Sequence, residues 1–279
     1  MSTVGIVGLG LIGGSMAKAV KTMTDHRVFG IDLNRDTMAL AFASGAIDNV
    51  LDDSTIGECD LILVAVPPRA TLRWADENAA KIAKNTTVID LCGVKRVICA
   101  HFAPLAEKYD FSYIGGHPMA GKEHGGFKNS TAYLFAGASM ILTPDGRTDI
   151  LMLDKLKAFF LSLGFGVITY STPEEHDRII AYTSQLAHIT SSAYIKSPTA
   201  QTHMGFSAGS FRDMTRVAYL DEDLWTQLFS ANREHLVGEL TELVGHLTDY
   251  LEALKTGDDE RLHDLLKTGR ELKTTAGGT

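Results

Sequence analysis

The sequence predicts an α/β protein in which a doubly wound parallel sheet is followed by an all-helical C-terminal region. Two observations predict this class. From residue 4 to about residue 170, short apolar runs alternate with longer segments of helical periodicity, the pattern of a sheet covered by helices. After Tyr170 the strand-like runs stop and helical patterns continue. We therefore expect two domains, over residues 1–171 and 172–279.

The predicted strands are short, and several are apolar along their whole length, which is typical of parallel strands buried on both faces. They are Val4–Val7, Val28–Asp32, Leu61–Val66, Thr87–Leu91, Tyr113–Gly116, Ser139–Thr143 and Gly166–Tyr170. Between the first two strands, apolar residues recur at helical spacing at Ile12, Met16, Ala19, Val20 and Met23. This segment predicts a βαβ unit.

The first C-terminal helix is predicted from its capping pattern. Thr172 is a suitable cap, Pro173 occupies the first helical position, and Glu175 is an acid three residues after the cap. The predicted apolar stripe consists of Ile179, Tyr182, Leu186, Ile189 and Ala193, and the predicted polar face consists of Ser184, Gln185, His188 and Ser192. We expect the polar face to line a cleft.

A second, long helix is predicted from Asp221, as its cap, to about Leu254. Leucines recur along it at intervals of three or four residues, at Leu236, Leu240, Leu243, Leu247, Leu251 and Leu254. So long an apolar seam needs a partner surface, either within a bundle or in a second copy of the chain. We expect a homodimer.

Composition excludes several classes of function. The chain has 279 residues, and its 26 Lys and Arg against 34 Asp and Glu give a net charge of -8, which argues against nucleic-acid or membrane-surface binding. Its three cysteines lack Cys-x-x-Cys spacing, so neither a disulfide framework nor a zinc knuckle is indicated. No export signal is recognisable, and the longest apolar runs are shorter than the ~20 residues of a membrane-spanning helix. We expect a cytoplasmic protein.

A cofactor site is predicted at the first strand-to-helix turn, residues Gly8, Leu9, Gly10, Leu11, Ile12 and Gly13. This Gly-x-Gly-x-x-Gly turn brings a pyrophosphate close to a helix N-terminus, as in Rossmann-type folds. Asp32 ends the second strand at the spacing of an acid that binds the adenosine ribose, which favours NAD over NADP. Arg35 keeps the alternative open, because it could receive a 2′-phosphate. Val66 and Pro67, at the end of the third strand, are further candidates for cofactor contact.

A chemical site is predicted in the segment 115–126, which places His117 just after a strand, in a Gly-rich loop at the mouth of the sheet. An imidazole there can accept the hydroxyl proton that leaves when a carbinol is oxidised by hydride transfer. A structural loop histidine is the alternative. His117, Glu123 and His124 could also be interpreted as metal ligands, but their spacing matches no common motif.

The sequence resembles the prephenate and arogenate dehydrogenases of tyrosine biosynthesis, the TyrA family. The resemblance covers nearly the whole chain and rests on segments 7–15, 90–95, 116–121, 184–188 and 211–216. It implies a monofunctional NAD-dependent enzyme that converts prephenate to 4-hydroxyphenylpyruvate by oxidative decarboxylation. The alternative substrate is arogenate, which would give tyrosine directly.

The resemblance also implies roles for individual residues. His117 matches the histidine that is hydrogen-bonded to the ring hydroxyl of the substrate, His188 matches a second active-site histidine, and Arg216 matches the arginine that binds a substrate carboxylate. For Arg216 the alternative is an ion pair with Asp213 or Asp221, and for His188 it is an interdomain structural role. Further positions align near the substrate or the dimer interface: His176, Gln185, Lys122, Glu123 and Arg212.

One departure from the family concerns position 93. Many members have a serine there that hydrogen-bonds the catalytic histidine and the substrate, whereas this chain has Gly93. The orientation of His117 must therefore come from another group, which the sequence does not identify.

Two other functions remain open from the sequence. A β-hydroxyacid or imine-reductase type dehydrogenase would share the cofactor turn, but commonly uses a second-domain lysine, and here the first C-terminal helix offers Lys196 only near its end. A non-catalytic NAD-binding sensor would bind NADH yet form none.

Overall fold

The structure, a computed structural model, describes residues 2–276. Its eight strands are β1 (Thr3–Val7), β2 (Arg27–Ile31), β3 (Asn49–Val50), β4 (Leu61–Val64), β5 (Thr87–Asp90), β6 (Ser112–Pro118), β7 (Ser139–Thr143) and β8 (Val167–Tyr170). They form one sheet in the order β3-β2-β1-β4-β5-β6-β7-β8. All neighbours are parallel except β6 and β7. The first six strands have the order of a dinucleotide-binding sheet, whose ligand crevice lies where the order reverses, between β1 and β4.

All seven predicted strands form, with ends that differ by a few residues. The two-residue strand β3 was not predicted, because it is too short to give a periodic pattern. One difference affects the chemistry. His117 was expected in a loop, but β6 continues through Pro118 because the antiparallel strand β7 pairs with it, His117 opposite Ile141. The prediction of a loop position for His117 is therefore wrong.

The apolar core lies on both faces of the sheet. Successive side chains of a strand point to opposite faces, so Ile6 packs in one apolar cluster and Val7 in the other. The second cluster, which contains Cys92, Val94 and Leu228, joins the region after β5 to a helix from the C-terminal part of the chain. This packing holds that helix near the carboxyl end of β5.

Eleven α-helices lie within the described residues. They are α1 (Leu11–Met23), α2 (Arg35–Ala43), α3 (Pro68–Asn78), α4 (Arg96–Tyr109), α5 (Ile150–Ser162), α6 (Pro173–Ile180), α7 (Ala187–Tyr194), α8 (Gly209–Thr215), α9 (Glu222–Ala231), α10 (Arg233–Thr256) and α11 (Asp259–Ala276). The predicted cap of α6 is confirmed, since the Glu175 backbone N–H donates to the Thr172 hydroxyl at 3.1 Å.

The helix after Thr172 is less regular than its sequence pattern predicts. One turn of π-helix, Ala181–Leu186, separates α6 from α7 and shifts the phase of the side chains. Ile179, Tyr182 and Ala193, predicted in the buried stripe, are exposed, whereas Ile180 and Ala181 are buried. That part of the predicted stripe is therefore wrong.

The long helix predicted from Asp221 to Leu254 is interrupted. Asp221 caps α9 as predicted, by accepting from the Leu224 N–H at 2.8 Å, but α9 ends at Ala231 and α10 begins at Arg233. At the break, the buried Asn232 side chain donates to the Asp177 carbonyl oxygen at 2.7 Å. A side chain that bonds backbone elsewhere favours a helix end over a helix interior.

The chain divides into two compact units, residues 1–232 and 233–279. The first contains the sheet and α1 to α9, and the second contains α10 and α11. The predicted boundary at 171/172 falls inside the first unit. None of the helices in the described part of the chain is long and apolar enough to cross a membrane.

Candidate functional site

The glycine turn between β1 and α1 is shaped by close backbone contacts. Gly8 has a positive φ of 84°, and a Cβ on Gly13 would overlap the Gly8 carbonyl oxygen. Gly10 differs, because a Cβ there would have no neighbour within 4 Å. Gly8 and Gly13 thus close the turn, and Gly10 leaves open space beside the N-terminus of α1, where a pyrophosphate can approach.

Asp32 lies directly against this turn. One of its carboxylate oxygens accepts from the Leu9 N–H and the other from the Asn34 N–H, both at 2.8 Å. Two backbone donors fix the carboxylate at the end of β2, where a ribose hydroxyl can donate to its remaining lone pairs. Arg35 is exposed as the first residue of α2, and Val66 and Pro67 follow β4, next to β1. The structure therefore brings the predicted cofactor residues to the carboxyl edge of neighbouring strands.

His117 projects from β6 and is partly buried. Its Nδ1 lies 2.9 Å from Nε2 of His176, and the His176 Nδ1 lies 2.7 Å from Oδ1 of Asp177. Both partners are buried, at 2% and 0% exposed. The three side chains form one hydrogen-bonded chain that leads from the interior to His117.

A buried ion pair supports the strand that carries His117. Lys95 and Asp90 are fully buried and pair through Nζ and Oδ2. The same ammonium donates to the Gly116 carbonyl oxygen at 2.6 Å, and the Tyr113 hydroxyl donates to Asp90 Oδ1 at 2.6 Å. The Asp90 to Lys95 segment therefore fixes the backbone immediately before His117.

Burial and neighbouring charges keep the histidine pair neutral. Burial lowers the pKa of His117 well below its usual value, and His176 and the Lys95 ammonium lower it further. Burial also lowers the pKa of His176, although the hydrogen bond to Asp177 opposes this effect. At neutral pH both rings are uncharged, so each keeps one nitrogen with a lone pair.

His188 lies at the start of α7, immediately after the π-helical turn. Its Nδ1 donates to the Ser184 carbonyl oxygen at 2.8 Å, and its ring packs against Trp225 of α9 with centroids 3.9 Å apart and planes tilted by 31°. Burial lowers the pKa of His188, and the charge of Arg216 contributes to the lowering. The donor role of Nδ1 in a neutral ring leaves Nε2 as an acceptor.

Arg216 begins a short 3₁₀ turn after α8 and is exposed. Within residues 2–276, no carboxylate lies within ion-pair distance of its guanidinium, so neither Asp213 nor Asp221 pairs with it. The predicted alternative of a surface ion pair is not formed. Its bidentate donors are therefore not engaged by a carboxylate of the described residues.

The remaining predicted residues occupy different environments. Gln185 is 1% exposed, and its side chain bonds Asn232 and the Leu228 carbonyl, so it belongs to the interior. Lys122 and Glu123 are exposed after β6, where the Lys122 ammonium donates to the Asn129 carbonyl oxygen at 2.8 Å. Arg212 is exposed on α8.

Position 93 faces the free edge of His117. A Cβ on Gly93 would lie 3.8 Å from His117 Nε2 and 3.3 Å from a methyl group of Leu228. Leu228 and Trp225 lie one turn apart on α9, so this helix contacts both Gly93 and His188. The structure thus places the two predicted active-site histidines beside one helix.

The metal interpretation receives no support from the geometry. Across the described residues, the structure contains no group of three His, Cys, Asp or Glu side chains that could hold a metal ion. His124 instead contacts Tyr219 edge-on, with ring centroids 5.5 Å apart.

Sequence reasoning missed three residues of this site. Asp177 and Trp225 contact the two predicted histidines, and Asn232 ties α9 to α6 through the Asp177 carbonyl. The available signal was the adjacent His176 and Asp177 on a helix whose cap was correctly predicted. Nothing in the periodicity shows that both would be buried.

Comparison with known proteins identifies similar sequences over almost the whole chain. The family model for the nucleotide-binding domain of prephenate dehydrogenase matches residues 16–169, and the model for its dimerization domain matches residues 172–268. Cyclohexadienyl dehydrogenase of Zymomonas mobilis is 31% identical over 280 residues, which is 97% of this chain and 94% of the relative.

Two solved structures are also similar. Prephenate dehydrogenase from A. aeolicus, in complex with hydroxyphenyl propionate and NAD+, superposes with a TM-score of 0.84, 26% identity and 99% coverage of both chains. Synechocystis arogenate dehydrogenase superposes with a TM-score of 0.80 and 26% identity, over 99% of this chain and 100% of that one.

Proposed function

Because the chain belongs to the prephenate dehydrogenase family, we propose that it catalyses the NAD-dependent oxidative decarboxylation of prephenate to 4-hydroxyphenylpyruvate. The observation that carries the proposal is the neutral, partly buried His117 on the same sheet as the Gly8–Gly13 turn. A proton acceptor on the sheet that also carries a dinucleotide site is what the oxidation of a hydroxyl group requires.

The residues present fit NAD. Gly10 leaves the open space that a pyrophosphate needs, and the Asp32 carboxylate is fixed at the ribose position, where it would repel a 2′-phosphate. Residues 8–13, Asp32, Arg35, Val66 and Pro67 would hold the cofactor. When bound, its nicotinamide supplies the acceptor for the hydride from ring carbon C4.

His117 and Arg216 have different roles toward the substrate. His117 Nε2 accepts the hydroxyl proton, since Nδ1 is occupied by His176. Arg216, whose guanidinium has no ion-pair partner within residues 2–276, binds a substrate carboxylate. The neutral His188, which packs against Trp225 and is influenced by the charge of Arg216, contributes a second imidazole. Loss of carbon dioxide from the ring accompanies aromatisation, so the protein mainly positions the substrate and accepts one proton. Arg212, Lys122 and Glu123 remain candidates for further substrate contacts.

Arogenate is the second candidate substrate, and the similarity to Synechocystis arogenate dehydrogenase favours testing it. The two substrates differ in a side-chain ketone or amine, away from the carbon that loses hydride. The Zymomonas mobilis relative carries the broader name cyclohexadienyl dehydrogenase. The residues around His117 and Arg216 serve either substrate.

We further propose that residues 172–279 form a substrate and dimerisation domain and that the chain works as a cytoplasmic homodimer. The match of residues 172–268 to a dimerization-domain model supports the assembly. Helix α10 also exposes an apolar row that consists of Val237, Val244, Leu247, Leu251 and Leu254. The three free thiols of Cys59, Cys92 and Cys99 agree with a reducing compartment.

The deciding experiment measures NADH formation at saturating NAD with prephenate and with arogenate in parallel, and repeats both with NADP. We expect turnover with NAD and a higher kcat/KM for prephenate. The control is His117→Asn, which should lower kcat by about two to four orders of magnitude. Binding of NADH without turnover of either substrate would support the sensor function instead.

A further inference from the structure

The chain of side chains behind His117 determines more than its position. Both carboxylate oxygens of Asp177 accept backbone N–H groups at the start of α4, from Lys95 at 2.7 Å and from Arg96 at 2.9 Å. Asp177 Oδ1 also lies 2.7 Å from the His176 Nδ1. Because both oxygens already receive backbone N–H groups, the carboxylate acts as an acceptor toward His176 as well.

The direction of each hydrogen bond in the chain follows from Asp177 as the acceptor at its end. His176 must donate from Nδ1 to Asp177, and a neutral His176 then has a lone pair on Nε2. That lone pair can only accept, so Nδ1 of His117 donates to it across 2.9 Å. In a neutral His117 the remaining nitrogen, Nε2, therefore carries the lone pair.

The charged residues around His117 and His176 are consistent with both imidazole rings being neutral. Lys95 is the charged residue that affects the pKa of His117. The pKa of His176 is affected by Asp177, Lys95 and Asp90. Lys95 and Asp90 neutralise each other in their buried ion pair. Burial is the largest influence on both histidines and disfavours their charged forms.

Nε2 of His117 faces position 93, where many members of the family have a serine and this chain has Gly93. Gly93 provides no side-chain hydroxyl, and its Cα hydrogen faces Nε2, where a Cβ would lie 3.8 Å away. Within the described residues, Nε2 has no hydrogen-bond partner from the protein. Among the described residues, the hydrogen bond that orients the ring is therefore the one at Nδ1.

We propose that His176 and Asp177 are positioning residues that hold His117 as its Nδ1–H tautomer and present Nε2 as the proton acceptor. The catalytic part of this inference rests on the proposed function, whereas the tautomer itself is a property of the substrate-free protein. In acid–base catalysis, a histidine is often held in one tautomer by a neighbouring residue that bonds the ring nitrogen not involved in proton transfer.

Two substitutions at one position separate positioning from a structural role. In His176→Gln, the amide oxygen can occupy the place of Nε2 and still accept from His117. In His176→Asn, the amide can occupy the place of Nδ1 and donate to Asp177, but it does not reach His117. A merely structural role, through the bond to Asp177, is preserved in Asn and lost in Gln.

We expect kcat with the better substrate to fall about 10- to 100-fold further in His176→Asn than in His176→Gln, with similar KM values, because the base is misplaced while the substrate still binds. Unfolding midpoints of both variants are the control for folding. Equal losses, or a greater loss in His176→Gln, would overturn the positioning role.

The tautomer is read directly by ¹⁵N NMR of the histidine rings in the substrate-free, wild-type protein, with His117→Asn used to assign the His117 signals. We expect a protonated Nδ1 and an unprotonated Nε2. A protonated Nε2 would disprove the proposal even if the enzyme is active. If the expected tautomer is found but neither substrate turns over, the proposed function fails and the tautomer assignment stands.

Discussion

At the scale of single residues, the protonation state of His117 decides whether the proposed reaction can begin. Only the neutral ring can accept a hydroxyl proton, and burial lowers the pKa of His117, with further lowering from His176 and Lys95. The protonated, inactive form therefore appears only below the usual imidazole pKa of about 6.5.

We expect kcat/KM to stay level as the pH falls from about 7.5 to 6.5 and to decrease at lower pH, because the free enzyme then protonates His117. The measurement is the pH profile of NADH formation. The residual activity of His117→Asn is the control and should lack this acidic limb. An acidic limb centred above about 6.5 would mean that the site stabilises the charged ring.

Arg216 is the residue expected to bind a substrate carboxylate. Arg216→Ala should raise KM about 10- to 100-fold, the effect of losing hydrogen bonds to a charged group, with a smaller change in kcat. The KM of Arg216→Lys should lie between those of the wild type and Arg216→Ala, because lysine keeps the charge but lacks the planar pair of donors. Arg178, an exposed arginine on α6, offers a matched control. If Arg178→Ala and Arg216→Ala have the same KM, Arg216 does not bind the substrate.

At the scale of elements, α9 links the two parts of the site. It carries Trp225 against His188 and Leu228 against Gly93, and its neighbour Asn232 bonds Asp177 and Gln185. The predicted long helix is broken at Asn232, and at this break the side chain reaches the Asp177 carbonyl oxygen of α6. His188 follows the π-helical turn and packs against Trp225. In the same region the predicted apolar stripe is not formed as expected.

The N-terminus of α9 offers a test of this element. Asp221→Ala removes the bond from the Leu224 N–H and should lower the free energy of unfolding by about 1 kcal/mol. Glu222→Ala, in the first turn, removes a favourable charge without a capping bond and should cost only about 0.3 kcal/mol. Urea denaturation followed by tryptophan fluorescence measures both. Equal losses would show that the capping bond contributes nothing.

At the scale of the whole molecule, the apolar row on α10 requires a covering surface if the proposed homodimer is correct. Val237, Val244, Leu247, Leu251 and Leu254 are all exposed in the single chain. Burial of one leucine against a partner is worth about 1.5–3 kcal/mol, so a charge placed there should weaken association strongly.

We expect Leu251→Arg to shift the protein from dimer to monomer in sedimentation velocity at micromolar concentration. Glu242→Arg is the control, because a helix advances about 100° per residue and Glu242 lies on the opposite side of α10 from this row. A wild-type monomer, or a Leu251→Arg variant that remains dimeric, would contradict the assignment of the interface.

The sequence alone predicted the fold class, the strands and the cofactor turn, because these depend on local signals. An apolar strand, a glycine that must adopt a positive φ, and an acid at the end of the next strand each leave a mark within about 30 residues of chain. The resemblance to a family added His117, His188 and Arg216 as site residues, and their proposed roles await the kinetic tests above.

Tertiary structure decided the features that join distant parts of the chain. His117 lies in a strand because β7 returns antiparallel beside it, and its Nδ1 is occupied because His176 lies 59 positions away in sequence but 2.9 Å away in space. Asp177 is buried, and both of its carboxylate oxygens accept the first amides of α4. Hydrogen bonds between elements leave no periodic pattern in either segment, so only the folded chain reveals which nitrogen of His117 is free.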